Sequence, residues 1–207
     1  MVINALHQAY RRIRYGKPVV VISGLPRSGT SMAMKMVEAG GLEVVQDGRR
    51  QADEDNPRGY YEDERVMGLA GAADKSWLNG ARGKAVKVIS YLLKELPPAH
   101  NYNVLFVCRP LDEVLASQAK MLARRGERIE TSDAQMRELF ETDLWRARYL
   151  MQHAPHFQCL ELQYHDVLDN ALAASERINI FLGGSLDTQK MAAVVDHSLY
   201  RNRLSSD

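Results

Sequence analysis

Cysteine is scarce in this chain, with Cys108 and Cys159 the only two among 207 residues. Two thiols cannot build a disulfide framework, so the sequence points to a reducing compartment and a cytoplasmic protein. Both lie in apolar runs and are expected to be buried small hydrophobes. A surplus of charge is also lacking: Lys and Arg total 27 against 26 Asp and Glu, a formal net charge of +1. That balance excludes a sequence-wide field that would recruit nucleic acid or an anionic membrane, and it leaves any anion site local. No stretch approaches the roughly 18 consecutive apolar residues of a membrane span. The opening "MVINALHQAYRRIRYGKP" sets arginines among helically spaced apolar residues and has no unbroken apolar core, so no secretory leader is expected. Repeats, low-complexity tracts and linkers are missing as well. Residues 1–207 are therefore read as a single domain, large enough to bury roughly 70% of its unfolded surface.

What is present is a recurrence of short apolar runs with amphipathic stretches between them: "VVVIS" (19–23), "LEVV" (42–45), "KAVKVI" (84–89), "NVLFVC" (103–108) and "FQCLEL" (157–162). Strand-like runs alternating with helices predict an α/β fold of three layers, a central parallel sheet of about five strands flanked by helices. After the first run, "TSMAMKMVEAGG" predicts a helix with Met32, Met36 and Val37 on one face, stopping at Gly40 and Gly41. The longest helix is expected from Thr131 to Pro155, with Met136, Leu139, Phe140, Leu144 and Ala147 on its apolar face and Ser132 with Gln135 as a capping box. The acidic, Gly- and Pro-bearing stretch 52–66 reads as a surface loop or lid.

Between the first strand and its helix stands "GLPRSGTS", Gly24 to Ser31. It nearly spells the G-x-x-x-x-G-K-[ST] loop whose backbone N–H groups cradle phosphates, but Thr30 stands where the lysine belongs. Glycines at 24 and 29 can turn successive N–H groups inward, the following helix adds its partial positive charge, and Ser28, Thr30 and Ser31 add hydroxyls. An anion site is expected there, against the plainer alternative of a glycine-rich turn. In "VCRPLDEVLASQ", Arg109 closes a strand and Ser117 follows eight residues later, so both can face the crevice beyond the strand ends. A guanidinium suits a phosphate because its fork bonds two oxygens at once, although an arginine or helix serine taken alone is more often a surface group. "LQYHDVLDN" carries Tyr164 at a strand end, which by itself reads as amphipathic packing. The tail "HSLYRNRLSSD" carries Arg201 and Arg203, by themselves solvated charges.

Together these stretches resemble the sulfotransferases that use 3′-phosphoadenosine 5′-phosphosulfate (PAPS), and among them compact bacterial members. "GLPRSGTS" is similar to that family's 5′-phosphosulfate loop, "VCRPLDEVLASQ" to its 3′-phosphate motif and "LQYHDVLDN" to its Tyr-x-Asp-Leu segment. The resemblance implies a P-loop-type fold and transfer of a sulfuryl group from PAPS to a small-molecule or carrier-bound acceptor, without a metal. It implies Arg27 at the bridging oxygen and 5′-phosphate, with Ser28, Gly29, Thr30 and Ser31 around that phosphate. Arg109 and Ser117 would hold the 3′-phosphate, with Tyr164, Arg201 and Arg203 as further nucleotide contacts. Lys87 occupies the place of a strand lysine that contacts the sulfuryl group. A sulfuryl group carries less negative charge than a phosphoryl group, so cations and N–H dipoles can stabilise its transfer without Mg²⁺.

One element departs from that pattern. The catalytic histidine expected two residues after the lysine is Ile89, which accepts no proton. The base must then come from elsewhere; Asp47, at the end of the second strand and 20 residues after Arg27, is the first candidate, with Glu62 and Asp55 next. The alternative for Asp47, followed by Gly48, is a turn. Two other functions stay open: a kinase-like phosphotransferase, which would need the missing lysine and a Mg²⁺-holding Asp, and a nucleotide-binding protein without activity. His153, His156 and Cys159 have suggestive metal spacing, but Pro155 breaks any helix that would converge them, and no metal is expected.

Overall fold

The computed structural model describes residues 5–49, 61–126 and 131–196. Its centre is a five-stranded sheet, all parallel, in the order β2-β3-β1-β4-β5, formed by β1 (Val19–Gly24), β2 (Val44–Val45), β3 (Ala85–Lys87), β4 (Tyr102–Cys108) and β5 (Phe157–Gln163). All five predicted runs are strands. The alternation of side chains along them divides the core in two. Val19, Val21, Val86, Val104, Phe106 and Phe157 face one layer, and Val20, Ile22, Ala85, Leu105, Val107 and Leu162 face the other. Both faces of the central strands β1 and β4 are covered, which is why these two read as continuous apolar runs rather than as apolar and polar in turn.

One layer holds α5 (Asp133–His153), and the other holds α2 (Thr30–Ala39), α7 (Ala171–Leu182) and α8 (Thr188–Ala193). The other helices are α1 (Ala5–Tyr15), α3 (Glu64–Met67), α4 (Leu111–Arg125) and α6 (Tyr164–Asp169). In α2 the buried set is Thr30, Ala33, Met34, Met36 and Val37; of the predicted face Met36 and Val37 are buried and Met32 only partly, because the sheet lies on one side and Met191 of α8 presses on Gly40 from another. In α5 the expected capping box of Ser132 and Gln135 is present. Of its expected apolar face only Ala147 is buried; Met136, Phe140 and Leu144 are half-buried and Leu139 is exposed, while Met151, one turn beyond, is buried. The helix has 21 residues, about 31 Å, and outruns a seven-residue strand of about 23 Å, so its first turns pass the end of the sheet. Cys108 is buried as expected, but Cys159 is exposed, because β5 is an edge strand with less protein over it. None of the described helices is long and apolar enough to cross a membrane.

The N-terminal edge of the sheet carries a cluster with a pH signature. His156 and His100 flank the buried Tyr102, and burial lowers the pKa of both imidazoles, that of His156 to about 4 with the Arg11 guanidinium adding to the shift. Between pH 6.5 and 4 the unfolded chain therefore binds a proton at residue 156 that the folded chain refuses. Stability falls as the pH drops through that window. Because the ring is only partly buried, solvent screens the effect to about 1–2 kcal/mol. Urea unfolding at pH 7.5 and pH 5 is expected to reveal this loss, and His156→Leu is expected to reduce it; an equal loss in the variant would assign the acid sensitivity elsewhere.

Candidate functional site

The order β2-β3-β1-β4-β5 places a topological switch between β1 and β4, since the connection leaving β1 runs to one side of the sheet and the one leaving β4 to the other. A crevice opens at such a point beyond the C-terminal strand ends. The loop 24–31 lies there. Gly24 has φ 151°, and a Cβ on it would fall 2.6 Å from both the Val107 carbonyl oxygen and Ser28 Oγ. Gly29, at φ 106°, precedes α2, and a Cβ there would fall 2.6 Å from Cδ2 of Tyr164. Arg27 between them also has a positive φ, 68°, an uncommon backbone state for a residue with a side chain. Its surroundings hold it there. Arg27 Nε donates to Ser117 Oγ at 3.1 Å, and the Arg27 carbonyl accepts from Arg109 Nη1 at 3.2 Å.

Arg109, Ser117 and Arg27, distant in sequence, thus meet across the crevice. Arg109 Nε also donates to Glu113 Oε2 at 2.9 Å, and its guanidinium lies 4.6 Å from the centre of the Tyr164 ring. Glu113 is a buried carboxylate that also meets His165 Nε2, at 3.1 Å. The sequence reading missed Glu113, although its i,i+4 spacing from Arg109 at the start of a helix is a recognisable ion-pair signal. Tyr164 is the first residue of α6 rather than the end of β5, and its ring is a wedge, with one edge against Gly29 and a face toward Arg109. Burial raises the pKa of its phenol against the opposing pull of Arg109 and Arg27. Ser28 is buried, and its hydroxyl packs back toward Gly24 with no hydrogen-bond partner among the described residues. Its backbone amide donates to the Leu25 carbonyl.

On the other side of the loop, Lys87 ends β3 and pairs in register with Ile22. Its Nζ lies 3.4 Å from Ser31 Oγ and 3.6 Å from Glu62 Oε1. Glu62 is held in place from both sides. The preceding Tyr61 donates its hydroxyl to Glu38 Oε2 at 2.6 Å, and the Glu62 carbonyl accepts from the Asp47 amide at 3.1 Å. Asp47 itself is differently occupied: its carboxylate accepts from the backbone amides of Arg49 at 2.9 Å and Glu64 at 2.8 Å. Of the two described carboxylates weighed from the sequence, Glu62 is the one beside the lysine, and Asp47 ties together the segments around it. Ile89 is partly buried against the core.

Asp55, Arg201 and Arg203 lie outside the described residues. His153, His156 and Cys159 do not converge. His153 stacks on Tyr149, His156 packs on Phe157, and among the described residues no group of three His, Cys, Asp or Glu side chains is placed to hold a metal ion. The donor set at the crevice is cationic and rich in N–H and O–H groups, with two glycine positions where a side chain would fill the cradle. Such a set fits a phosphate or sulfate ester.

No protein-family model matches the chain, and neither does any curated protein. Among solved structures, the chain is similar to a sulfotransferase domain from the curacin biosynthetic pathway, with 14% identity, a TM-score of 0.51, and coverage of 92% of this chain and 93% of that one. A sulfotransferase from Alicyclobacillus acidocaldarius aligns at 15% identity and TM-score 0.48, over 89% of this chain and 99% of that one. A sugar kinase from Janibacter sp. aligns at 15% identity and TM-score 0.37, over 87% and 99%. At 14% identity, the likeness to the first of these is one of fold. The chain has a distant sulfotransferase-like α/β fold, with a five-stranded parallel sheet between helical layers.

Proposed function

We propose that the protein transfers a sulfuryl group from PAPS to the hydroxyl of a small or carrier-bound acceptor, without Mg²⁺. The observation that carries this reading is the coupling of Arg27 to Ser117 and Arg109 at the switch between β1 and β4, with Lys87 as a second cation across the loop. A phosphate loop whose lysine is replaced by Thr30, and whose neighbouring strand β4 is followed by Arg109 rather than an aspartate, has cations where Mg²⁺-dependent phosphoryl transfer needs a metal ligand. In the step itself an acceptor oxygen attacks sulfur, the bond from sulfur to the bridging oxygen of the 5′-phosphate breaks, and the acceptor proton passes to Glu62. Arg27 and Lys87 offset the negative charge that grows on the departing phosphate. The products are a sulfate ester and 3′-phosphoadenosine 5′-phosphate.

The test is nucleotide choice. Charge-assisted bonds to phosphate contribute about 1.5–3 kcal/mol each, so Arg109 and Ser117 together should favour a nucleotide with a 3′-phosphate by roughly 10²-fold. Calorimetry without Mg²⁺ is expected to give 3′-phosphoadenosine 5′-phosphate that advantage over ADP, and Arg109→Ala to erase most of it. Equal affinity for the two nucleotides, or binding only with Mg²⁺ present, would overturn the proposal.

A further inference from the structure

The net charge of +1 hides a segregation, because the first acidic residue of the chain is Glu38. The stretch before it includes α1. Leu6, Tyr10 and Ile13 stand one above another on one face of this helix, at i, i+4 and i+7, and are 76%, 61% and 87% exposed. Arg14 and His7 border that face on one side and Arg12 on the other, all exposed, and the exposed Lys17 follows at the turn. The inner face is fixed to the protein. Arg11 donates to Asn101 Oδ1 at 3.1 Å and to the carbonyls of Pro98 and His100 at 2.7 and 2.8 Å, and Asn101 Nδ2 donates back to the carbonyls of Arg11 and Gly16. The apolar stripe is therefore presented by an anchored helix, and its exposure is not the fraying of a loose end.

From this arrangement we infer that the outer face of α1 docks on an anionic lipid bilayer. The charge pattern selects that occupant: long basic side chains on both flanks can reach lipid phosphates while three apolar side chains, a tyrosine among them, enter the interface between them. A second copy of the chain is a poorer match. The stripe offers on the order of 400 Å² of side chain, about half of what each partner of a standard interface buries, and pairing it with itself would bring two basic borders together. Asn101 precedes β4, so α1 sits at the N-terminal edge of the sheet, and loop 24–31 lies at the opposite edge. The docked protein would turn the crevice to the aqueous side, where a water-soluble acceptor or carrier can reach it.

Cosedimentation of the full chain with vesicles tests this. With 30% phosphatidylglycerol in phosphatidylcholine at low salt, the protein is expected in the pellet; with phosphatidylcholine alone, in the supernatant. Partitioning onto the anionic vesicles should fall about tenfold in 0.5 M salt, in the Tyr10→Ser, Ile13→Ser double variant and in the Arg12→Glu, Arg14→Glu double variant. All four side chains are exposed, so unchanged circular-dichroism melting is expected; should a double variant misfold, the single changes Ile13→Ser and Arg14→Gln read the same effect. Failure of the wild-type chain to bind, equal binding to both vesicle types, or undiminished binding by folded variants would overturn the inference. So would a dimer in sedimentation equilibrium that Ile13→Ser dissolves, since a second copy would then cover the face.

Discussion

Replacing Glu62 by Gln is expected to lower kcat about 10²–10³-fold while leaving the affinity for 3′-phosphoadenosine 5′-phosphate within a few-fold. The amide keeps the size and one acceptor oxygen but cannot take the acceptor's proton, and removing a general base typically costs this much. Loss of the 3.6 Å ion pair with Lys87 perturbs the site less, since that contact is partly open to solvent. Asp47→Asn makes the contrast. Its carboxylate accepts two backbone amides, and its own amide holds the Glu62 carbonyl, so the change acts through position. An asparagine retains one of the two acceptances, and a loss of only a few-fold in kcat is expected. Steady-state kinetics with a hydroxyl acceptor decides: a collapse in Asp47→Asn beside near-normal turnover in Glu62→Gln would return the base to Asp47. Normal turnover in both would mean that the acceptor arrives deprotonated.

The largest effect on stability is expected at Gly24. An alanine Cβ there would lie 2.6 Å from the Val107 carbonyl oxygen, a backbone atom of the paired strand, and the φ of 151° belongs to a region that side chains rarely adopt. Neither β1 nor β4 can yield, because Gly24 and Val107 are in register in the middle of the sheet. Gly24→Ala should therefore cost about 3–4 kcal/mol, near the upper end for a single change, and lower Tm by roughly 10 °C. Gly41→Ala is the control. It shares a positive φ, 98°, but has nothing within 4 Å of the added carbon, so only backbone strain of about 1 kcal/mol is expected. Urea unfolding measures both. Equal losses would show that strain alone, without the clash, sets the cost at Gly24.

Much of the scaffold was legible in the sequence. The five apolar runs became the five strands, because β-branched and aromatic residues cluster where a strand packs in a sheet, most densely in the central β1 and β4. Ser132 and Gln135 announced the start of α5, because a capping box is closed by neighbours within one helical turn. Glycines 24 and 29 were legible because a left-handed or crowded backbone position admits almost nothing else. All three are local requirements that a short stretch of residues meets by itself.

What the sequence did not show depends on groups far apart in the chain. Whether a carboxylate meets a lysine or a pair of amides depends on which segment folds beside it, so Asp47, ranked first from the sequence, meets two backbone amides while Glu62, ranked after it, lies beside Lys87. Tyr164 becomes a wedge only because β5 brings it under Gly29, and Glu113 holds both Arg109 and His165 only once β5 lies beside β4. Cys159 sits in a run that Gln158 and Glu161 interrupt, and it is exposed on β5, which the strand order puts at the edge. The sequence by itself determined the strand runs, the capped start of α5 and the glycines of loop 24–31, since each answers to its immediate neighbours. Tertiary structure alone decided the partners of Asp47, Glu62 and Lys87, because those partners come from segments that the sheet order brings together.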